Sequence, residues 1–189
     1  MPDYPKFPKQ RGLGNFEYDY ASDKEMEDIC YQLSYLIFKV PGIKERLKTE
    51  ISLEEQKSNK RELALENIDA ADRHITKYCE EHGLIDFDKL SSINAWDKTI
   101  NCPICPLCKE PLTADEFFEI AGQDEGREEV HNTKTKIELM HISPLKPAEF
   151  NHSTYNLGWG HGLCNTIQGN DTIQGTLDRL KKILMKNDM

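Results

Sequence analysis

The sequence predicts an α+β protein, in which an N-terminal helical region precedes a small zinc-stapled module built from a strand pair and two helices. Three observations predict it. Between positions 21 and 98, apolar residues recur at helical spacing. Around position 138, Thr133, Thr135, Ile137 and Leu139 alternate with Glu138, Met140 and Ile142, the period-two pattern of a strand. Cys105-x-x-Cys108 and His161-x-x-Cys164 have the spacing of paired zinc ligands.

The chain has 189 residues, enough for one ordinary domain or two small ones. We divide it into an extended arm at 1–20, a helical region at 21–98 and a zinc-bound module at 99–189. Hydrophobic residues make up 38% and charged residues 30%, the balance of a soluble protein with a polar surface. No apolar run approaches the roughly 20 residues of a membrane helix. Lys6, Lys9 and Arg11 are not followed by the apolar core of a secretion signal, so a cytoplasmic protein with no membrane partner is expected.

The net charge of −9 argues against binding nucleic acid through bulk charge. The acid is unevenly spread. Residues 109–129 hold eight acids against two bases, whereas 131–189 hold seven bases against five acids.

Pro2, Pro5 and Pro8 keep the first 20 residues from forming a helix, so an arm packed on its own domain or reaching DNA or a second subunit is expected. Ser22 reads as an N-cap, with Asp23, Glu25 and Glu27 at the positive end of the helix dipole. Met26, Ile29, Cys30, Leu33, Leu36, Ile37 and Val40 form the stripe of this helix, and Pro41-Gly42 stops it. Cys30 and Cys79 read as buried thiols within helices. A second helical zone covers 43–81, with a break near Ser52 or Ser58 and a stop at Gly83. A short helix is expected over 87–96, a long strand or hairpin over 128–142, and a strand over 156–161. Two helices follow, at 163–169 and 172–186, the second with Ile173, Leu177, Leu180, Ile183 and Leu184 as its apolar face.

Zinc takes four thiolate or imidazole ligands, often as two pairs presented by tight turns. Cys105 and Cys108 supply one pair, and His161 and Cys164 the other. Such an ion clips distant segments together, a structural role suited to a module with a small core. Cys102 competes for a place. Cys105 and Cys108 are preferred because Lys109-Glu110-Pro111-Leu112 continues like the return turn of a knuckle.

His141-Ile-Ser-Pro-Leu145, Asn156-Leu157 and Cys164-Asn165, framed by the two zinc pairs, resemble the HNH nucleases of the ββα-metal (His-Me finger) class. The resemblance covers about 102–175. It implies that His141 is the general base that deprotonates water for attack on a phosphodiester. It implies that Asn156 holds the loop after His141 and orients its ring, and that Asn165 binds a divalent cation, Mg²⁺ or Mn²⁺.

One position departs from the pattern. The family carries Asp or His just before the base, as a second metal ligand, and this chain carries Met140. A thioether is a poor ligand for a hard cation. Either Glu138, on the same strand face, replaces it, or Asn165 with water and phosphate suffices, or activity is lost.

Candidate phosphate contacts are Lys134, Lys136, Lys146, Arg179, Lys181 and Lys182. His74, His82, His131 and His152 read as surface or loop residues, with His152 a distant candidate for phosphate contact. The resemblance implies an endonuclease acting on double-stranded DNA, of the restriction or defence type found in bacteria and phages. A homodimer is expected, because a two-fold DNA site calls for a two-fold protein. The competing readings are a non-catalytic zinc module that binds DNA or protein, and a nuclease subunit that needs a protein partner.

Overall fold

The computed structural model describes residues 23–55, 61–119, 135–145 and 152–187, and for 51–55 and 61–65 it describes the backbone alone. The expected arm at 1–20, the Ser22 cap, His131, Thr133, Lys134 and Lys146 lie outside the described residues. Helices and two short antiparallel strand pairs make the α+β architecture.

Helix α1 (Asp23–Phe38) buries Ile29, Leu33 and Leu36 along one stripe, and Val40 extends it past the helix end. Cys30 is exposed, which corrects the expectation of a buried thiol. It follows Ile29 directly, and one helical step of about 100° turns it away from the stripe. Gly42 ends the segment at φ +79°, where glycine avoids a Cβ clash. The 43–81 zone forms two helices, α2 (Ile43–Glu55) and α3 (Arg61–Glu81), and α3 packs against both α1 and α2.

Gly83, at φ +64°, closes α3 as expected. Its N–H bonds the Glu80 carbonyl at 3.3 Å and the Leu84 N–H bonds the Cys79 carbonyl at 2.8 Å, the double cap that a left-handed residue allows. Helix α4 (Phe87–Ser92) starts at Asp86, whose carboxylate accepts from the Asp88 and Lys89 N–H groups. It is shorter than the expected 87–96. Asn94 takes the left-handed conformation at φ +56° and repeats the α3 cap, with Ala95 N–H on the Leu90 carbonyl at 2.9 Å. Trp96 therefore enters a strand, β1 (Trp96–Asp97), paired antiparallel with β2 (Cys102–Pro103).

Strand β3 (Ile137–His141) pairs antiparallel with β4 (Leu157–His161), with Glu138 opposite Gly160 and Met140 opposite Gly158. Of the strand expected over 128–142, residues 128–134 lie outside the described residues. Glycine at 160 is required by close packing. A methyl group there would stand 2.7 Å from the Met140 Sδ and 3.4 Å from the Cys105 Sγ. Helix α5 (Gly162–Gln168) leads directly out of β4, and α6 (Ile173–Lys186) begins at Thr172, whose hydroxyl caps the Gly175 N–H. Along α6, Ile173 is buried and Leu177 and Leu180 are half-buried, whereas Ile183 and Leu184 are exposed. The neighbouring α5 has seven residues against the fourteen of α6, so the end of α6 extends past it.

The core crosses the sequence boundary at 98. Val40 and Ile43 join Cys105, Leu107, Leu112, Ile137, Met140 and Ile173 in one cluster. A second cluster joins Tyr35, Leu36 and Cys79 to Leu84, Leu90 and Trp96. Ile29 and Leu33 of α1 pack on Leu157 of β4. Trp159 touches all three clusters and donates its indole N–H to the Leu33 carbonyl at 2.9 Å. The strand pair is thus seated directly on α1.

Candidate active site and metal centre

The segment after β2 folds back on itself as a tight knuckle. The Cys105 N–H bonds the Glu110 carbonyl at 2.9 Å, and the Lys109 N–H bonds the Cys105 carbonyl at 2.8 Å. Lys109 takes φ +63° to make the turn, which aims both thiols to one side. The opposite side is supplied by the junction of β4 and α5, where His161 ends the strand and Cys164 lies in the first turn of the helix.

Ligand atoms of Cys105, Cys108, His161 and Cys164 all lie within 4.8 Å of one another. A tetrahedral zinc ion, with bonds of about 2.0–2.3 Å, holds its ligands about 3.3–3.8 Å apart, so the donor set fits with small adjustments. The Cys108 Sγ already stands 3.3 Å from the His161 Nδ1. The other ring nitrogen, Nε2, faces the Glu116 carboxylate at 3.6 Å. That carboxylate is held by the Thr113 N–H at 3.1 Å and its hydroxyl at 2.8 Å. A carboxylate behind an imidazole favours the Nε2–H tautomer and turns the Nδ1 lone pair toward the thiols. Burial and the neighbouring Cys105 and Cys108 push the Cys164 thiol well above its ordinary range, and burial also raises Cys108. Without a cation this crowd disfavours thiolates, and a divalent ion would reverse that preference. Cys102 lies in β2 and is absent from this group of ligand atoms.

His141 ends β3 and is half-buried. Its carbonyl accepts from the Gln168 side chain of α5 at 2.7 Å, which also bonds the Asp171 carbonyl at 2.8 Å. The loop leaving His141 is closed by Asn156. The Asn156 Oδ1 accepts from the Ser143 N–H at 2.8 Å, its Nδ2 donates to the Ser143 carbonyl at 3.1 Å, and its own carbonyl accepts from the Ile142 N–H at 2.9 Å. Asn165, on α5, donates from Nδ2 to the Glu138 carboxylate at 3.0 Å. A strand carboxylate and a helix amide thus meet three residues before His141. Both are hard oxygen-bearing groups of the kind that hold Mg²⁺ or Mn²⁺ together with substrate phosphate.

Met140 is fully buried in the core beside Cys105, Leu112 and Ile137. Its thioether is a packing group there. His152, in the sequence only a distant candidate for phosphate contact, stands beside His141 instead. Its Nδ1 lies 3.4 Å from the His141 Nε2, with the two rings tilted by 53°. Burial, then the nearby His152, holds His141 below the ordinary imidazole range, and burial lowers His152 as well. No spacing rule pairs residues 141 and 152, because the contact is made only in the tertiary structure.

Two of the candidate phosphate contacts are engaged within the protein. Lys136 forms an ion pair with Glu119, which raises its pKa. Arg179 donates to the Ile167 carbonyl at 3.1 Å near the end of α5, capping that helix. Lys181 and Lys182 lie on the exposed part of α6.

No helix among the described residues is long and apolar enough to cross a membrane. No curated protein matches the chain. A solved structure described as the crystal structure of a type II restriction endonuclease superposes with a TM-score of 0.49 at 18% identity. The superposition covers 89% of this chain and 54% of the other, so the chain spans about half that protein's length. The family model described as BstXI restriction endonuclease matches residues 7–162, most of the sequence. The chain therefore belongs to the BstXI restriction endonuclease family.

Proposed function

We propose that this protein is a divalent-metal-dependent endonuclease that hydrolyses phosphodiester bonds of double-stranded DNA in a restriction or defence role, with the β3–β4–α5 unit as an HNH-type centre. Membership of a restriction endonuclease family supports the reaction class. The observation that carries the site is the contact of Glu138 with Asn165 on the strand that ends in His141.

In this reading His141 takes a proton from water, and its neutral state near pH 7 suits that task. Asn156 keeps the loop after His141 closed through both of its bonds to Ser143. Glu138 and Asn165 would hold the catalytic ion, with Glu138 taking the place that Met140 leaves. When bound, Mg²⁺ or Mn²⁺ supplies positive charge beside the leaving 3′ oxygen. Cys105, Cys108, His161 and Cys164 would hold zinc, which supplies a structural clip between the knuckle and the β4–α5 junction. Lys181 and Lys182 would contact phosphate, as would Lys134 and Lys146 from outside the described residues. The protein would act in the cytoplasm as a homodimer on a two-fold site.

One observation favours a second reading, a nuclease subunit that works only with a protein partner. The chain carries a net charge of −9, and Lys136 and Arg179 are already engaged.

The deciding experiment is cleavage of plasmid and phage DNA by the purified protein in Mg²⁺, Mn²⁺ or EDTA, beside His141→Ala. Metal-dependent fragments that vanish with His141→Ala are expected. Cleavage that survives His141→Ala would remove the proposed base. No cleavage by the parent chain under any condition would favour the partner-dependent subunit.

A further inference from the structure

We infer that His152 is a positioning residue for His141, accepting the His141 Nε2–H at its own Nδ1 and so leaving the His141 Nδ1 as the basic atom. This inference rests on the reading of His141 as a general base. It stands on geometry. The two nitrogens face each other at 3.4 Å, and both rings are half-buried.

Two neutral imidazoles in contact share one proton along that line, so one donates and the other accepts. If His152 donated, the His141 Nε2 lone pair would be occupied and the His141 Nδ1 would carry the remaining proton. Such a ring has no lone pair for water. If His141 donates, its Nδ1 is free to take the proton from water. The ring then becomes an imidazolium whose Nε2–H remains bonded to His152. Only this second direction leaves His141 able to act, and it gives His152 the task that a carboxylate performs behind other catalytic histidines.

The scaffold holds His152 where this requires. The segment 152–156 is tied at its far end in three ways. Asn156 is bonded to Ser143, and the Asn156 N–H turns back on the Ser153 carbonyl at 3.2 Å. Tyr155 is fixed at φ +63°, with its N–H on the buried Gln32 side chain at 3.0 Å. At the other end of the contact, Gln168 holds the His141 carbonyl. Both rings are therefore carried by backbone that the fold pins separately.

Two measurements on the zinc-loaded full chain test the inference. Long-range ¹H–¹⁵N spectroscopy reads the tautomer of His141 without any need for activity. The parent is expected to show protonated Nε2, and His152→Ala a mixture of both tautomers. On DNA with Mg²⁺, His152→Ala is expected to lower kcat by about 10–100-fold with KM little changed, a smaller effect than the roughly 10²–10⁴-fold of direct acid–base catalysis because His152 acts through His141. His152→Asn, whose amide oxygen can accept the same bond, is expected to recover part of the loss.

A parent His141 protonated at Nδ1 would overturn the inference. So would an unchanged tautomer together with unchanged cleavage in His152→Ala. A parent that cleaves no DNA would count against the autonomous-enzyme reading alone, because the tautomer measurement still judges the histidine pair.

Discussion

Gln32, in the middle of α1, accepts the backbone N–H of Tyr155 at 3.0 Å while its amide donates to the Leu84 carbonyl at 2.9 Å. One buried side chain of the helical region thereby holds the loop that carries His152 and Asn156. Gln32→Ala leaves a half-buried N–H and a buried carbonyl without this partner. The expected loss is about 1–3 kcal/mol of stability in chemical denaturation. Cleavage should fall by more than global unfolding explains. A variant as stable and active as the parent would mean that the loop does not depend on α1.

Met140→Asp tests whether the acidic residue of the HNH pattern can stand at this position. The side chain is fully buried beside Cys105 and Ile137, so a carboxylate there is expected to destabilise the protein by about 3 kcal/mol or more. Thermal unfolding reads the loss. A variant of parent-like stability and higher activity would place residue 140 at the metal after all.

Glu138→Gln and Asn165→Ala should each abolish most cleavage while leaving zinc content unchanged, because neither belongs to the Cys₃His group. Weaker Mn²⁺ binding, seen as a higher metal concentration for half-maximal cleavage, is the specific signature. Unaltered metal dependence in both would remove this pair as ligands.

The purified chain is expected to carry one zinc ion per molecule. Cys164→Ser, or a strong chelator, should lower the unfolding midpoint by on the order of 10 °C, given that each kcal/mol is worth about 2–4 °C at this size. Glu116→Gln should weaken zinc affinity by about 10-fold through the His161 ring. Metal analysis and competition with a chromophoric chelator measure both. Absence of zinc in protein prepared without chelators would sink the structural assignment.

The pH dependence has a definite sign. His141 and His152 titrate below the ordinary imidazole value of 6.5 in the folded protein. Their neutral forms are the ones the fold favours. The stability they contribute is complete above the unfolded value, about 6.5, and is lost as pH falls through the lowered folded values. The acid limb of kcat/KM should accordingly lie below pH 6.5. An acid limb above that pH would contradict the burial of the His141 ring as its controlling influence.

The sequence alone determined the elements whose signals are local. Helical spacing and Gly83 as a stop belong to single segments, and the bounds of α1, α5 and α6 and the end of α3 follow them closely. The pairing of Cys105 and Cys108 was legible because Lys109 and Glu110 complete a turn within a few residues. Signals that depend on burial were less readable. Cys30 and Met140 have apolar-compatible chemistry, and only the packing puts one on the surface and the other at the centre of the core. Asn94 ended α4 early because a left-handed cap competed with a continuing helix.

Tertiary structure alone decided three things: that Trp159 and Gln32 tie the strand pair to α1, that Glu116 stands behind His161, and that His152 faces His141. Each joins residues from separate elements or across a loop. Their proximity is set by how whole surfaces pack, which has no period or spacing in the chain.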